Sequence, residues 1–253
     1  MPEELWFTKI LNHVFASPVT GLMRALHIDP KYPQAPISNA VAMQLLVFLF
    51  LVVIFFLVRS VLSVDKPSGL QHIFEGAHGF VEGQSNEIIG HGSERFTPFL
   101  MTLAFFILFC NLIGLIPGFE SPTAVPAVPL GCAICAFIYY NAQGIRKKGL
   151  THYAAHFLGP SDPSMSLFIR IPLAILMLPI EIVSHLARVL SLTIRLWANM
   201  FAGDLVTMAF FSMISVGVPV LFLALHLGVS FLQTYIFVLL TMVYLAGAAA
   251  EEH

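Results

Sequence analysis

Ionisable residues in this sequence gather where an apolar chain should carry few. A long apolar run, Met165 to about Ile214, also holds Arg170, Glu181, His185, Arg188, Arg195 and Asp204. Glu181, His185, Arg188, Arg195 and Asn199 fall at offsets 0, 4, 7, 14 and 18. On a helix of 3.6 residues per turn they stay within about 40° of the Glu181 direction and form one stripe about 27 Å long. Asp204 lies nine residues past Arg195, so a straight helix turns it to the opposite side. The next run, Val218 to Ala250, carries His226, Gln233 and Tyr244 at offsets 0, 7 and 18, within about 20° of one another. Two such stripes on neighbouring helices could face each other, with Arg195 near the middle of one and Gln233 opposite it.

An ionisable side chain inside a bilayer costs at least about 2.5 kcal/mol, so several of them point to function. Arg195 stays protonated in any surroundings and cannot carry protons. It can hold a carboxylate ionised, or stop a proton jumping past it. Glu181, His185, Asp204 and His226 can exchange protons or anchor water. Structural readings compete at several positions. Arg170 could snorkel to the interface. Arg188 could pair with Glu181 or with headgroups, the histidines could be packing residues, and Tyr244 could anchor an interface. Arg195 has no acid three or four residues away on either side.

Composition identifies the solvent. Of 253 residues, 58% are hydrophobic and only 10% charged, with mean hydropathy +0.86. A soluble domain carries about 25% charged residues. An ordinary soluble enzyme, a disordered chain and a nucleic-acid binder are excluded. A bilayer core needs about 20 apolar residues per helix. Five runs qualify: 37–57, 96–116, 125–142, 165–214 and 218–250. The fold expected is an all-α polytopic membrane protein whose last two helices are long, tilted and hairpinned. With the N-terminus outside, the inner loops 58–95 and 143–166 hold Arg59, Lys66, Arg95, Arg146, Lys147 and Lys148, and the outer loops 117–125 and 214–218 hold neither Lys nor Arg.

Two segments read as surface-lying. Residues 1–36 form an outer-side tail that begins Pro2, Glu3, Glu4, unlike a secretory signal. Leu5, Phe7, Ile10, Leu11 and Val14 there make one amphipathic face. Over about 68–82, Leu70, Ile73, Phe74, Ala77, Phe80 and Val81 predict an amphipathic helix on the inner surface. Gly83 to Gly92 reads as a looser connection.

Other motifs carry less. Cys132 and Cys135 form C-x-x-C within an apolar span, where packing is the simpler role. His152 and His156, at i and i+4, read as solvated loop histidines. Three cysteines make no disulfide framework. No phosphate loop or dinucleotide fingerprint is found, and no cofactor or metal is expected.

Three motifs and the chain's end then converge. Ser191-Leu-Thr-Ile-Arg195-Leu-Trp-Ala-Asn199-Met-Phe-Ala-Gly203-Asp204 resembles the signature of subunit a of F-type ATP synthases. Leu232-Gln233-Thr-Tyr-Ile-Phe237 through Thr241 and Tyr244 resembles that family's last helix. Asn111-Leu-Ile-Gly-Leu-Ile-Pro117 resembles its N-L-x-G-L-[IL]-P turn, and Glu251-Glu252-His253 fits its close. The resemblance covers about 95–253.

The resemblance implies a stator subunit in a bacterial inner membrane, with its C-terminus in the cytoplasm. It would sit beside a ring of c subunits, held by peripheral-stalk b subunits and joined only indirectly to F1. It would have no catalytic site of its own within the proton-transporting two-sector ATPase. It implies that Arg195 separates two aqueous half-channels and that Gln233 faces it. Asn199, Asp204 and His226 match positions of the outer half-channel. Glu181, Ser184 and Tyr244 match the inner one, with His185 and Arg188 beside them. The family pattern is broken at one place. Many members carry an acid and an Asn–Thr pair after S-P-T-A, and some an acid where Gly114 stands. Here the chain reads Ser121-Pro-Thr-Ala-Val125-Pro-Ala-Val-Pro129. Glu120 could supply the missing polarity. A proton-coupled secondary transporter, a haem-binding membrane subunit and a purely structural anchor are the competing readings.

Overall fold

A computed structural model describes residues 5–25, 27, 35–63, 68–90, 92–116, 118–149, 167–213 and 217–249. His152, His156 and the closing Glu251-Glu252-His253 lie outside the described residues. Those described form seven α-helices: α1 (Trp6–Ala25), α2 (Asn39–Val61), α3 (Gly69–Ile89), α4 (Thr97–Leu112), α5 (Ala127–Lys148), α6 (Leu167–Met213) and α7 (Val218–Ala249). Short 3-10 turns at Ser93–Arg95, Ile113–Leu115 and Pro122–Ala124 flank α4 and α5. No strand occurs among the described residues.

Five helical stretches are long and apolar enough to cross a bilayer: Asn39–Val61, Thr97–Leu115, Ala127–Lys147, Ile175–Phe210 and Val220–Ala248. They match the five runs expected from hydropathy. Their outward surfaces are apolar, as at Phe56, Ile138, Leu186 and Leu221. A helix satisfies its own backbone polar groups, which lipid cannot do. The chain is an all-α multi-pass membrane protein. At 1.5 Å per residue, the 47 residues of α6 run about 70 Å, over twice the hydrocarbon thickness of about 30 Å. A straight upright span is impossible at that length, and Pro172 and Pro179 lie within it.

The core is where α4, α5, α6 and α7 meet. Leu103 and Ile107 of α4, Cys132, Ala133 and Ala136 of α5, Leu192, Leu196 and Met200 of α6 and Phe237 of α7 form one buried cluster. Small residues on α5 let the neighbouring helices approach closely. Cys132 serves this packing, and no bridge forms among the free cysteines Cys110, Cys132 and Cys135.

The tail forms a helix in which Thr8 and Asn12 are buried, Leu5, Phe7 and Leu11 pack against the α2–α4 cluster, and Ile10 and Val14 face outward. Asn12 Nδ2 donates to the Ile37 carbonyl at 3.2 Å, and the Ile37 N–H donates to Asn12 Oδ1 at 3.0 Å. One side-chain amide thus pairs both backbone groups of a buried residue. Helix α3 does not loosen at Gly83; it runs on to Ile89 and stops at Gly90, whose φ of 85° a residue with a Cβ adopts poorly. Val81 and Ser85 continue its buried face past Gly83, so packing sustains the helix. Gln71 repeats the Asn12 device at the α2–α3 connection, pairing with the N–H and carbonyl of Ser63 at 3.1 Å each.

Candidate functional site

The ionisable residues of α6 and α7 are brought together by an antiparallel seam. On α6 the seam runs through His185, Val189, Leu192, Leu196 and Met200, spaced four, three, four and four apart. On α7 it runs through His226, Ser230, Gln233, Thr234, Phe237 and Thr241, all buried. Two contacts set the register. His226 Nε2 lies 3.9 Å from Asp204 Oδ1, and the Arg188 guanidinium stands 5.2 Å from the centroid of the Tyr244 ring. Going back from 204 to 188 on α6 therefore advances from 226 to 244 on α7. Arg195, between 188 and 204, comes level with the stretch around Gln233. The packing of Leu196 against Phe237 in one core cluster agrees with this.

Arg195 itself is half-buried at the edge of the seam, and its Nη2 donates to Ser191 Oγ at 3.4 Å. Ser184, Arg188, Ser191, Arg195 and Asn199 form a row one position from the seam. Ser191 and Asn199 in that row are exposed, whereas His185 on the seam is buried. The single stripe read from spacing is thus two adjacent rows. One faces α5 and α7, and the other runs along its flank, on the side away from exposed Leu186, nine residues from Arg195.

At one end of the seam is a compact cluster. His185 Nε2 is 3.3 Å from Glu181 Oε1, and His185 Nδ1 is 2.9 Å from the hydroxyl of Tyr140 on α5. The Tyr140 ring lies 5.9 Å from that of Tyr244, completing a group drawn from three helices. Ser184 is half-buried on the turn between Glu181 and His185. Tyr140 was not foreseen. Its position in the Tyr139-Tyr140-Asn141 stretch of an apolar span is the one available signal, and nothing in its spacing names His185 as a partner.

At the other end Asp204 and His226 approach to 3.9 Å, beyond hydrogen-bond distance, and His226 Nε2 makes no hydrogen bond among the described residues. They meet although Asp204 leaves the helix on the side away from Arg195. Gly203 makes this possible: a Cβ there would stand 2.5 Å from His226 Nδ1. Glu120, in the α4–α5 connection, accepts a hydrogen bond from Asn39 Nδ2 at 3.2 Å.

A buried polar chain adjoins this end. Ser121 and Thr123 share a hydrogen bond of 2.8 Å, and Thr123 Oγ1 donates to Asn111 Oδ1 at 2.6 Å. Asn111 Nδ2 in turn faces the Ser230 carbonyl at 3.4 Å and Thr234 Oγ1 at 3.5 Å. The motif residue Asn111 therefore bridges the α4 end to α7. The same fold explains Gly114. A Cβ there would lie 2.7 Å from Ser121 Cβ, so no acid can stand at 114 while this turn keeps its shape. Among the described residues, no three His, Cys, Asp or Glu side chains are grouped to hold a metal ion.

Comparison with known proteins accords with this arrangement. The profile of the family described as ATP synthase A chain matches residues 41–246. A protein of Koribacter versatilis named ATP synthase subunit a is 54% identical over 254 residues, spanning all of both chains. One of the same name from Solibacter usitatus is 55% identical over 222 residues, 87% of this chain and 91% of its own. A third, from Geotalea uraniireducens, is 37% identical over 226 residues, covering 89% and 94%. With a family profile across most of its length and full-length relatives at this identity, the chain belongs to the family of ATP synthase subunit a.

Proposed function

We propose that this chain is the proton-translocating stator subunit of an F-type ATP synthase. It supplies two aqueous half-channels that load and unload the carboxylates of a c-subunit ring, and so couples proton flow to rotary ATP synthesis or hydrolysis. The observation that carries this reading is the placement of Arg195. It lies along α6 between two separate ionisable groups: Glu181–His185 with Arg188 and Tyr244 on one side, Asp204–His226 on the other. Along α6 it lies seven residues from Arg188 and nine from Asp204, about 10 and 14 Å.

Each residue has a task in this account. Glu181, Ser184, His185, Arg188 and Tyr244 belong to the half-channel opening to the cytoplasm. Asn199, Asp204 and His226 belong to the one opening outside, with Glu120 and Asn39 at its mouth. Arg195 keeps a passing ring carboxylate ionised and bars protons from moving directly between the half-channels. As a permanent cation it is suited to both tasks, since it offers no proton of its own. Gln233 faces it from α7. The exposed apolar side of α6 is the surface that meets the ring. The membrane potential supplies about 2.3 kcal/mol per proton per 100 mV, so several protons are needed per ATP.

The chain has no catalytic site of its own in this reading. Its partners are the c ring, peripheral-stalk b subunits and lipid, with F1 reached indirectly and nucleic acid not involved. It lies in a bacterial inner membrane with its N-terminus outside and C-terminus in the cytoplasm. The basic inner loops support that orientation.

The direct experiment is reconstitution of the complex with and without this chain. A complex lacking it is expected to hydrolyse ATP without moving protons, and adding the chain should restore pumping. Equal pumping without it would refute the assignment.

A further inference from the structure

Tyr140 is a buried hydroxyl that the account so far gives no task. It is 2% exposed, and its Oη meets His185 Nδ1 at 2.9 Å while His185 Nε2 faces Glu181 Oε1 at 3.3 Å. The imidazole is thus engaged at both nitrogens, by a phenol on one side and a carboxyl group on the other. Its orientation is held firmly. The Tyr140 ring lies nearly parallel to it, with centroids 6.0 Å apart, and Phe137 abuts both rings edge-on at 5.4 and 5.9 Å.

A phenol is the partner this place calls for if a proton is to pass. Neutral imidazole has one N–H and one bare nitrogen, which exchange places between tautomers. When Glu181 is ionised, Nε2–H donates to it, and bare Nδ1 needs a donor. When Glu181 is protonated, its O–H donates to bare Nε2, and Nδ1–H needs an acceptor. A hydroxyl serves in both states; a carboxylate serves only in the second, and a phenyl ring in neither. The two states interconvert by two hops along contacts already present, once a hydronium ion delivers a proton to Tyr140 Oη. That proton binds Oη as the phenolic proton moves to Nδ1 and the Nε2 proton moves to Glu181, and the hydronium is left as water. One proton enters, one carboxylate is neutralised, and no other group changes charge. The reverse sequence releases it.

We propose that Tyr140 is a member of the inner half-channel, completing a Tyr140–His185–Glu181 proton relay. The inference rests on the reading of Glu181 and His185 as part of the proton path. The groups facing the relay are Arg188 on α6 and Tyr244 on α7, the latter 5.9 Å from Tyr140 ring to ring. Neither can replace the hydroxyl at Nδ1, which Tyr140 occupies.

The test uses the whole complex in vesicles, with passive proton conduction through the membrane sector as the readout. Ring retention and ATP hydrolysis report assembly. Tyr140→Phe keeps the ring and removes the hydroxyl. It is expected to lower conduction about a hundredfold, the lower end for a positioned acid–base group. It should also change how conduction depends on pH on the Glu181 side of the membrane, leaving the dependence on the other side unchanged. In a His185→Gln background, Tyr140→Phe should have no further effect. Conduction equal to the parent, effects that multiply in the double variant, a uniform loss at all pH, or failure of Tyr140→Phe to assemble would each overturn the proposal. Glu181→Gln and His185→Gln separate the two levels. If both conduct normally, the proton-path reading of that cluster fails and the relay with it. If both are impaired and Tyr140→Phe is not, the relay alone is wrong.

Discussion

Gly203 lies flush against the imidazole of His226. A Cβ at 203 would meet Nδ1 at 2.5 Å and Cε1 at 2.7 Å, closer than any such atoms are found. The missing side chain is what lets α7 bring His226 within 3.9 Å of Asp204. Gly203→Ala is therefore expected to push the ring away from Asp204. Overpacking of this kind costs about 1–3 kcal/mol. The complex should assemble, with proton conduction reduced several-fold. Conduction unchanged in assembled complexes would mean that the Asp204–His226 approach is incidental.

Asp204→Asn keeps the shape and removes the titration. ATP synthesis should fall most when protons are scarce on the outer side and recover when they are abundant. The same dependence, in weaker form, is expected for Glu120→Gln, if Glu120, bonded to Asn39, supplies polarity at the outer mouth. Synthesis rates that track the parent at every outer pH would remove both residues from the path.

The Asn111 bridge is expected to be structural. Asn111→Leu removes the 2.6 Å acceptor of the buried Thr123 hydroxyl and one of two side-chain donors to the Ser230 carbonyl, which keeps Thr234 Oγ1 at 2.9 Å. Loss of a buried hydrogen-bond partner of this kind costs about 1–3 kcal/mol. Thermal stability of the purified complex in detergent should drop by several degrees, and loss of conduction should follow loss of folded protein. A stable complex that fails to conduct would instead put Asn111 in the proton path.

Asn12→Ala should loosen α1 and nothing else. Both backbone groups of Ile37 lose their partner, again at about 1–3 kcal/mol each. Hydrogen exchange in residues 6–25 is expected to speed up, with pumping unaltered. Unchanged exchange would show that apolar packing alone holds α1.

Much of this was legible in the sequence, and the boundary has physical causes. Lipid demands about 20 apolar residues for each crossing, so the five spans stand out. The cost of burying charge makes the spacing of Glu181, His185, Arg188, Arg195 and Asn199 informative before any helix is placed. Partners across helices are another matter. Periodicity gives the face of α6 but not the residue of α5 that meets it, so Tyr140 stayed hidden. The division of the stripe into a packed row and an open row depends on where α5 and α7 lie. At α1, apolar spacing shows an amphipathic face but not that Asn12 pairs with Ile37, 25 residues on. At α3, the Gly83 penalty of about 1 kcal/mol is offset by packing at Val81 and Ser85.

The central claim is that a fixed positive charge at 195 divides the two half-channels. The most direct measurement pairs ATP-driven acidification with passive proton leak in vesicles carrying the complex with Arg195→Ala. The account predicts an assembled complex with ATP-driven pumping abolished. Pumping at the parent's rate would contradict it, making Arg195 a structural residue and leaving the coupling of the two ionisable clusters without its divider.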